Sequence, residues 1–241
     1  MDNVLIIGAS SDIGRDLISC LDRRGEQNYL AHYHQSSDKL NELSNNLQSA
    51  IIPLKADLSI DSDIEALINS CSDTVPNKIV LLAAPKVSNI RFRKVVWDDF
   101  KNQIEVQLKS SVLILKKFLP QMAKQKSGKI VFVLTSYTQN IPPVALSHYV
   151  SVKYAMLGLM KALAAEYRGL KVNINAVSPS MVETAFLDNL PKKLIEINSM
   201  NHPYGRNAQP GDIVPTIEYL LSAASDYITG VNISISGGEV F

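Results

Sequence analysis

Cysteine is scarce: the 241 residues hold two, Cys20 and Cys71, both inside helical-looking segments. They call for neither a disulfide framework nor a metal site, and a reducing, cytoplasmic setting is the expectation. An excess of charge of either sign is also missing. The 24 Lys and Arg stand against 23 Asp and Glu, so a formal net charge of +1 gives no electrostatic reason to expect nucleic acid or an anionic membrane surface as partner. Long hydrophobic runs are absent; the longest, Ile79 to Pro85, is far too short to span a bilayer. The start, Met1-Asp2-Asn3 and four apolar residues, has neither the basic opening nor the long apolar core of a signal peptide. What is there is 46% hydrophobic and 20% charged, which excludes a disordered chain and is ample for a buried core.

Short apolar runs alternate with helical patterns from end to end. The runs are Val4–Ile7, Tyr29–Tyr33, Ala50–Leu54, Lys78–Leu82, Lys129–Leu134, Lys171–Ala176 and Val231–Ile235. Most are near-continuous rather than alternating, as strands buried on both faces require. Between them lie helical patterns at Ile13–Arg24, Ser37–Leu47, Asp61–Ser70, Trp97–Ala123, Ser147–Tyr167 and Gly211–Ser222. This order predicts an α/β fold: a doubly wound parallel sheet with helices on both faces. No linker, charge block or repeat divides the chain, so one domain over residues 1–241 is expected. The stretch Phe186–Gln209, within an insertion at residues 185–209, breaks the rhythm and is long enough for a lid with its own helix. Its Phe186, Leu187, Leu190, Leu194, Ile195, Met200 and Tyr204 suit an apolar cover, or equally a helix packing on the core or a neighbouring subunit. Lys192 and Lys193 read as a solvated face, and His148 as structural.

The first run leads straight into Gly8-Ala9-Ser10-Ser11-Asp12-Ile13-Gly14 and a helix. A dinucleotide site needs this layout, because glycine lets the backbone approach a pyrophosphate and the helix start offers free N–H groups. A plain strand-to-helix turn capped by Asp12 is the alternative. The second run ends in His34-Gln35-Ser36, with no carboxylate until Asp38. An acidic residue there would receive a free ribose 2′-hydroxyl, whereas polar residues accommodate a 2′-phosphate, so NADP(H) is favoured over NAD(H).

Tyr149 and Lys153 are four apart in a helical pattern and share a face. An ammonium about 4 Å from a phenol would favour phenolate by about 4 kcal/mol at an effective dielectric near 20. That is roughly three pKa units, enough to bring a phenol toward the working range of a general acid. The spacing alone is common on exposed helices, but Ser136 closes the run Lys129–Leu134, and Pro179-Ser180-Met181-Val182-Glu183-Thr184 follows the run Lys171–Ala176. Both belong at the carboxyl edge of the sheet, where an open α/β sheet places its ligand.

Together these segments resemble the short-chain dehydrogenase/reductase family over essentially the whole chain, with a general layout like that of 3-oxoacyl-carrier-protein reductases. The resemblance implies a Rossmann-type fold. It implies that Ser136, Tyr149 and Lys153 are catalytic, with Tyr149 giving a proton to the carbonyl oxygen, Ser136 steadying that oxygen, and Lys153 lowering the Tyr149 pKa and holding the nicotinamide ribose. It places the Asp57-Leu58 pair beside adenine, Ala83 and Ala84 after the fourth strand, and Pro179, Ser180, Val182 and Thr184 along nicotinamide. His32-Tyr33-His34 is similar to the HYH segment of pteridine reductases, which also favours NADP(H). Asp226 to Gly230, leading to Ser236-Gly237-Gly238, resembles the family's C-terminal strand. The chain departs from the family at Ile7 (usually Thr), at Asp12 (usually Gly), at Leu82-Ala83-Ala84-Pro85 and at Ser180 (usually Gly). Gln107 occupies the position of the catalytic Asn, with the same amide one methylene further out, and is expected to reach Lys153 through a proton-relay water. The resemblance implies a homotetramer or dimer, with the Trp97 and Ser147 helices and the C-terminal strand at interfaces. The expected activity is NADP(H)-dependent interconversion of a carbonyl and a secondary alcohol, on 3-oxoacyl chains bound to a carrier or on small ketones. The alternatives are a sugar or polyol dehydrogenase, and a weakly active dinucleotide-binding partner of another subunit.

Overall fold

A computed structural model describes residues 1–25 and 27–240. Seven parallel strands form one sheet: β1 (Asp2–Ile7), β2 (Gln27–Tyr33), β3 (Ala50–Lys55), β4 (Lys78–Leu81), β5 (Gly128–Val133), β6 (Val172–Pro179) and β7 (Asn232–Ile235). Their spatial order is β3-β2-β1-β4-β5-β6-β7. The chain therefore winds outward from β1 to β3, then returns to the other side of β1 with β4. Where the winding reverses, the connections leave β1 and β4 in opposite directions and a crevice opens at their carboxyl ends.

Alternate residues of each strand face opposite layers, as the strand period requires. Leu5 and Ile7 of β1 join one core with α3 (Asp61–Ser70), α5 (Ser110–Gln125) and α6 (Ser147–Glu166); there Ile64, Phe118 and Met156 are fully buried. Val4 and Ile6 face the other core, formed with α1 (Asp12–Asp22), α2 (Asp38–Ser44) and α8 (Pro210–Leu221), where Leu17, Leu40 and Ile217 are buried. Burial on both faces explains the unbroken apolar runs. Pro53 sits on β3, an edge strand, where a missing N–H costs no ladder bond.

The sequence elements are recovered within a few residues, with two differences. β6 continues past Ala176 to Pro179, because Val177, Ser178 and Pro179 pair with Ile233, Ser234 and Ile235. The single helix expected over Trp97–Ala123 is three pieces: α4 (Trp97–Gln103), a π turn (Ile104–Lys109) and α5. The π turn inserts an extra residue into the helical repeat and buries both Gln103 and Gln107, which an apolar periodicity of 3.6 cannot signal.

The insertion closes on itself at its base. Val182 pairs with Ala208, and the Glu183 carboxylate receives the side-chain amides of Asn207 and Gln209. Between them a short 3₁₀ turn (Ala185–Leu187) and α7 (Lys192–Asn201) lie over the carboxyl edge of the sheet.

One imidazole ties three strand ends together. His32 Nδ1 accepts the Gly8 N–H at 3.0 Å, and its Nε2 lies 3.1 Å from the Ala56 carbonyl oxygen. The first bond requires a bare Nδ1, so Nε2 carries the proton and the ring is neutral. Burial pushes its pKa from 6.5 down to about 4, outweighing the opposing pull of the Ala56 carbonyl. Between those values the unfolded chain binds a proton that the native protein does not, so stability falls as pH falls through this window. The contribution is about 3 kcal/mol in total, present above pH 6.5. Urea titrations at several pH values should show that slope in the native sequence and a shallower one in His32→Gln; equal slopes would remove His32 as its source.

Candidate active site

The crevice holds a cavity of about 780 Å³ running along the carboxyl edge from the Gly8 turn to the insertion. Gly8 has φ +99°, and a Cβ on it would sit 3.0 Å from Ala83 Cα and N, so both its conformation and the space demand glycine. A Cβ on Gly14 would lie 2.7 Å from the Gly8 and Ala9 carbonyl oxygens, which makes Gly14 the point of closest approach between α1 and the turn. The helix cap is Ser11, not Asp12: Ser11 Oγ accepts the Gly14 N–H at 3.1 Å. The Asp12 and Ile13 N–H groups make no backbone bond among the described residues and stand at the positive end of α1. A glycine turn with free N–H groups at the helix start fits a pyrophosphate.

The Asp12 carboxylate, a negative charge where the family usually has Gly, is already occupied. Oδ1 accepts from Arg15 Nη2 at 2.6 Å, and Oδ2 accepts the Ala185 N–H at 2.9 Å. Burial works against its charge, yet these bonds hold its pKa below the usual carboxylate value. Asp12 thus ties the loop to the start of the insertion. Beside it the wall carries Ser10, Ser11 and Ile13, then His34, Ser36, Asp57 and Leu58. Gln35 is exposed and is not on the wall. Asp57 Oδ1 caps its own turn through the Ser59 N–H and hydroxyl, while Oδ2 lies 3.5 Å from His34 Nε2. Lys39, which the sequence reading passed over, also lines this end.

At the other end stand Tyr149 and Lys153, both buried on α6, with Ala83, Ala84, Pro179, Ser180, Val182 and Thr184 between the two ends. Lys153 Nζ lies 5.6 Å from the Tyr149 ring centre and donates to the Val133 carbonyl at 2.8 Å. Here the electrostatics correct the expectation of a phenol pulled down by its lysine. Burial raises the Tyr149 pKa, Tyr137 adds to the rise, and only Thr135 opposes it. Burial also lowers Lys153, to about 7. Both groups are driven toward their neutral forms because removing charge from water outweighs their mutual attraction. The result is a phenol that keeps its proton at neutral pH.

Ser136 is 1% exposed; its Oγ has no partner among the described residues and does not line the cavity. Thr135 and Tyr137, on either side, do line it. Gln107 is also buried and off the wall. Its Nε2 donates to Gln103 Oε1, and its own Oε1 is without a partner. The π turn that carries it packs against α6. His148 is buried with its ring edge-on to Phe100, a packing role. Phe186, Leu187, Leu190 and Leu194 face the cavity, whereas Met200 and Tyr204 are mostly exposed and stay off it.

A family model described as enoyl-(acyl carrier protein) reductase matches residues 8–239. The chain is a short-chain dehydrogenase/reductase. The enzyme is 27% identical to a 3-oxoacyl-[acyl-carrier-protein] reductase of Staphylococcus aureus, over 98% of this chain and 97% of that one. In fold it is similar to a 3-oxoacyl (acyl-carrier-protein) reductase of Agrobacterium tumefaciens with NADP bound (TM-score 0.88, 23% identity, 98% and 93% covered). It is similar also to one of Brucella melitensis with bound NAD (TM-score 0.84, 23% identity, 98% and 90% covered). The enzyme is thus an oxidoreductase.

The Lys153 environment yields a direct expectation. In the cofactor-free enzyme, NMR of lysines labelled with ¹³C at Cε should show one resonance titrating near pH 7, absent from Lys153→Gln. A spectrum in which every lysine titrates above 9 or so would mean that Lys153 is solvated.

Proposed function

We propose that this enzyme interconverts a ketone and a secondary alcohol with NADP(H), acting as a reductase of 3-oxoacyl chains or similar ketones. The observation that carries the reading is that one cavity joins the glycine turn to the buried Tyr149–Lys153 pair. The Gly8–Gly14 turn and the α1 start would hold the pyrophosphate, and His34, Ser36 and Lys39 the 2′-phosphate. Asp38, the first carboxylate after β2, is exposed and off the cavity wall, which supports NADP(H) over NAD(H). When bound, a reduced nicotinamide supplies hydride to a carbonyl carbon.

The chain's own residues handle the oxygen and the proton. Tyr149 holds a phenolic proton at neutral pH and passes it to the carbonyl oxygen as negative charge develops there. Ser136 is the family's hydroxyl for steadying that oxygen; its Oγ is unpartnered but lies behind the cavity wall, so it must turn toward the substrate to serve. Lys153 carries its charge most readily beside an anion or a ribose oxygen, and there it favours release of the Tyr149 proton. Gln107, with its free Oε1 on the π turn against α6, is the positioning residue for the relay behind Lys153. The insertion serves as the lid of a single domain, excluding water over the reacting carbonyl.

Among the described residues no helix is long and apolar enough to cross a membrane, and Cys20 and Cys71 are both free and buried. These features support a cytoplasmic setting. Trp97, Val112 and Tyr154 are exposed apolar groups on α4, α5 and α6, which supports assembly into a dimer or homotetramer through those helices.

Calorimetric titration should find NADPH bound roughly tenfold or more tightly than NADH. A preference for NADH would overturn the NADP(H) assignment. Tyr149→Phe should keep NADPH affinity while turnover on a 3-oxoacyl thioester falls by roughly 10². Turnover at the parent rate would take Tyr149 out of proton transfer.

A further inference from the structure

The wall of the cavity beside Tyr149 is largely apolar, with Val87, Leu146, Leu187 and Leu190 around it. One acidic side chain interrupts it from the far end of the sequence. Glu239 lines the cavity, and its Oε2 is buried with no hydrogen-bond partner among the described residues. A buried carboxylate oxygen without a partner is costly, and folded proteins seldom tolerate one without a use for it.

Its placement is built rather than accidental. After β7 the chain turns through Gly237 (φ +54°) and Gly238 (φ +84°), two left-handed positions that suit glycine. A Cβ on Gly237 would lie 2.7 Å from His202 Cε1, so the turn is packed as well as bent. The Ser236 carbonyl oxygen lies 2.9 Å from His202 Nε2 and 2.9 Å from the Glu239 N–H that donates to it. Ser236 Oγ and the Val240 backbone bond each other in both directions, at 3.0 and 3.2 Å. These bonds fold the chain back on itself and leave the Glu239 side chain at the cavity.

Tyr137 lines the same cavity and is coupled electrostatically both to Glu239 and to Tyr149. A phenol can donate and an ionised carboxyl can only accept. On one cavity wall they suit a hydroxyl, which gives one hydrogen and receives another; an ammonium could not use the phenolic donor.

We propose that Glu239, with Tyr137, is a substrate-recognition site: the ketone reduced here carries a hydroxyl group some atoms away from its carbonyl, and Glu239 accepts the hydrogen of that hydroxyl. This rests on the ketone reductase reading and narrows it. A plain 3-oxoacyl chain offers no donor and would leave the Glu239 oxygen buried and unpaired, whereas a hydroxyketone or a partly oxidised polyol satisfies it.

The test uses methyl ketones of increasing length, each paired with its terminally hydroxylated counterpart, beginning with acetone and hydroxyacetone. With NADPH, kcat/KM for the hydroxylated member should exceed that of its partner by about tenfold or more at one or more chain lengths. In Glu239→Leu the two members should become equal within about twofold, and Glu239→Gln, which keeps an acceptor oxygen and the shape, should fall between. Circular dichroism and thermal midpoints confirm that both variants are folded. Calorimetric binding of the corresponding diols and mono-alcohols to the NADP⁺-loaded enzyme gives a readout independent of turnover. A diol advantage that vanishes in Glu239→Leu supports the site even if no ketone is reduced, an outcome that would count against the reductase reading alone. Reduction of both members at equal efficiency in the parent, or a hydroxyl preference unchanged by Glu239→Leu, overturns the proposal.

Discussion

A neutral imidazole underlies the geometry of the ligand-binding edge. His32 takes the Gly8 N–H on one nitrogen and faces the Ala56 carbonyl with the other, so the carboxyl ends of β1, β2 and β3 are held in one register. Sheet hydrogen bonds stop at the strand ends, and the backbone groups just beyond need other partners. His32 supplies them at the place where the chain must leave β1 in a left-handed turn against Ala83. Everything downstream depends on that exit: the start of α1, the free N–H groups of its first turn, and the position of Asp12 under the insertion. A charged imidazole would lose the Gly8 bond, because both nitrogens would then donate.

The other end of the cavity follows a different rule, in which desolvation outweighs charge pairing. Tyr149 and Lys153 are four positions apart on the helix, and in water that spacing would let the ammonium stabilise a phenolate. Inside the protein both side chains lie between α6 and the sheet edge, and Lys153 spends a donor on the Val133 carbonyl instead. The pair is therefore stored with the proton on oxygen and the amine close to losing its own. For the proton transfer proposed for Tyr149, this is the ready state.

Much of this was legible in the residues. Short apolar runs marked all seven strands, the inner five of them largely buried on both faces, and Gly8 to Gly14 after the first marked the turn, because sterics leave no other residue there. Ser136 and the segment Pro179–Thr184 could be placed at one edge from strand order, and Tyr149 and Lys153 joined them through the family resemblance. Other features could not be read. The π turn depends on burying two glutamines, and hydrophobic period carries no record of polar burial. Asp12 has one partner a helical turn away, Arg15, but its second, the Ala185 N–H, is brought to it only by the folded insertion. Glu239 follows two glycines whose turn direction decides whether it meets solvent or cavity, and local sequence does not encode that outcome. Thr135 and Tyr137 flank Ser136, and only the 3₁₀ turn after β5 determines which of the three face the ligand.

The packing of α1 against α8 has a consequence for how the chain is made. Leu17, Ile18 and Leu21 find their cover in Ile213, Ile217 and Leu220, and Arg24 finds Glu218, all from the last eighth or so of the sequence. During synthesis from the amino end, the apolar side of the first helix stays uncovered until α8 has emerged from the ribosome. Such distant contacts slow folding and leave sticky surface exposed meanwhile. The nascent protein is thus vulnerable to aggregation until α8 emerges, and any truncation that removes α8 strips α1 of its cover although it spares every residue of the glycine turn.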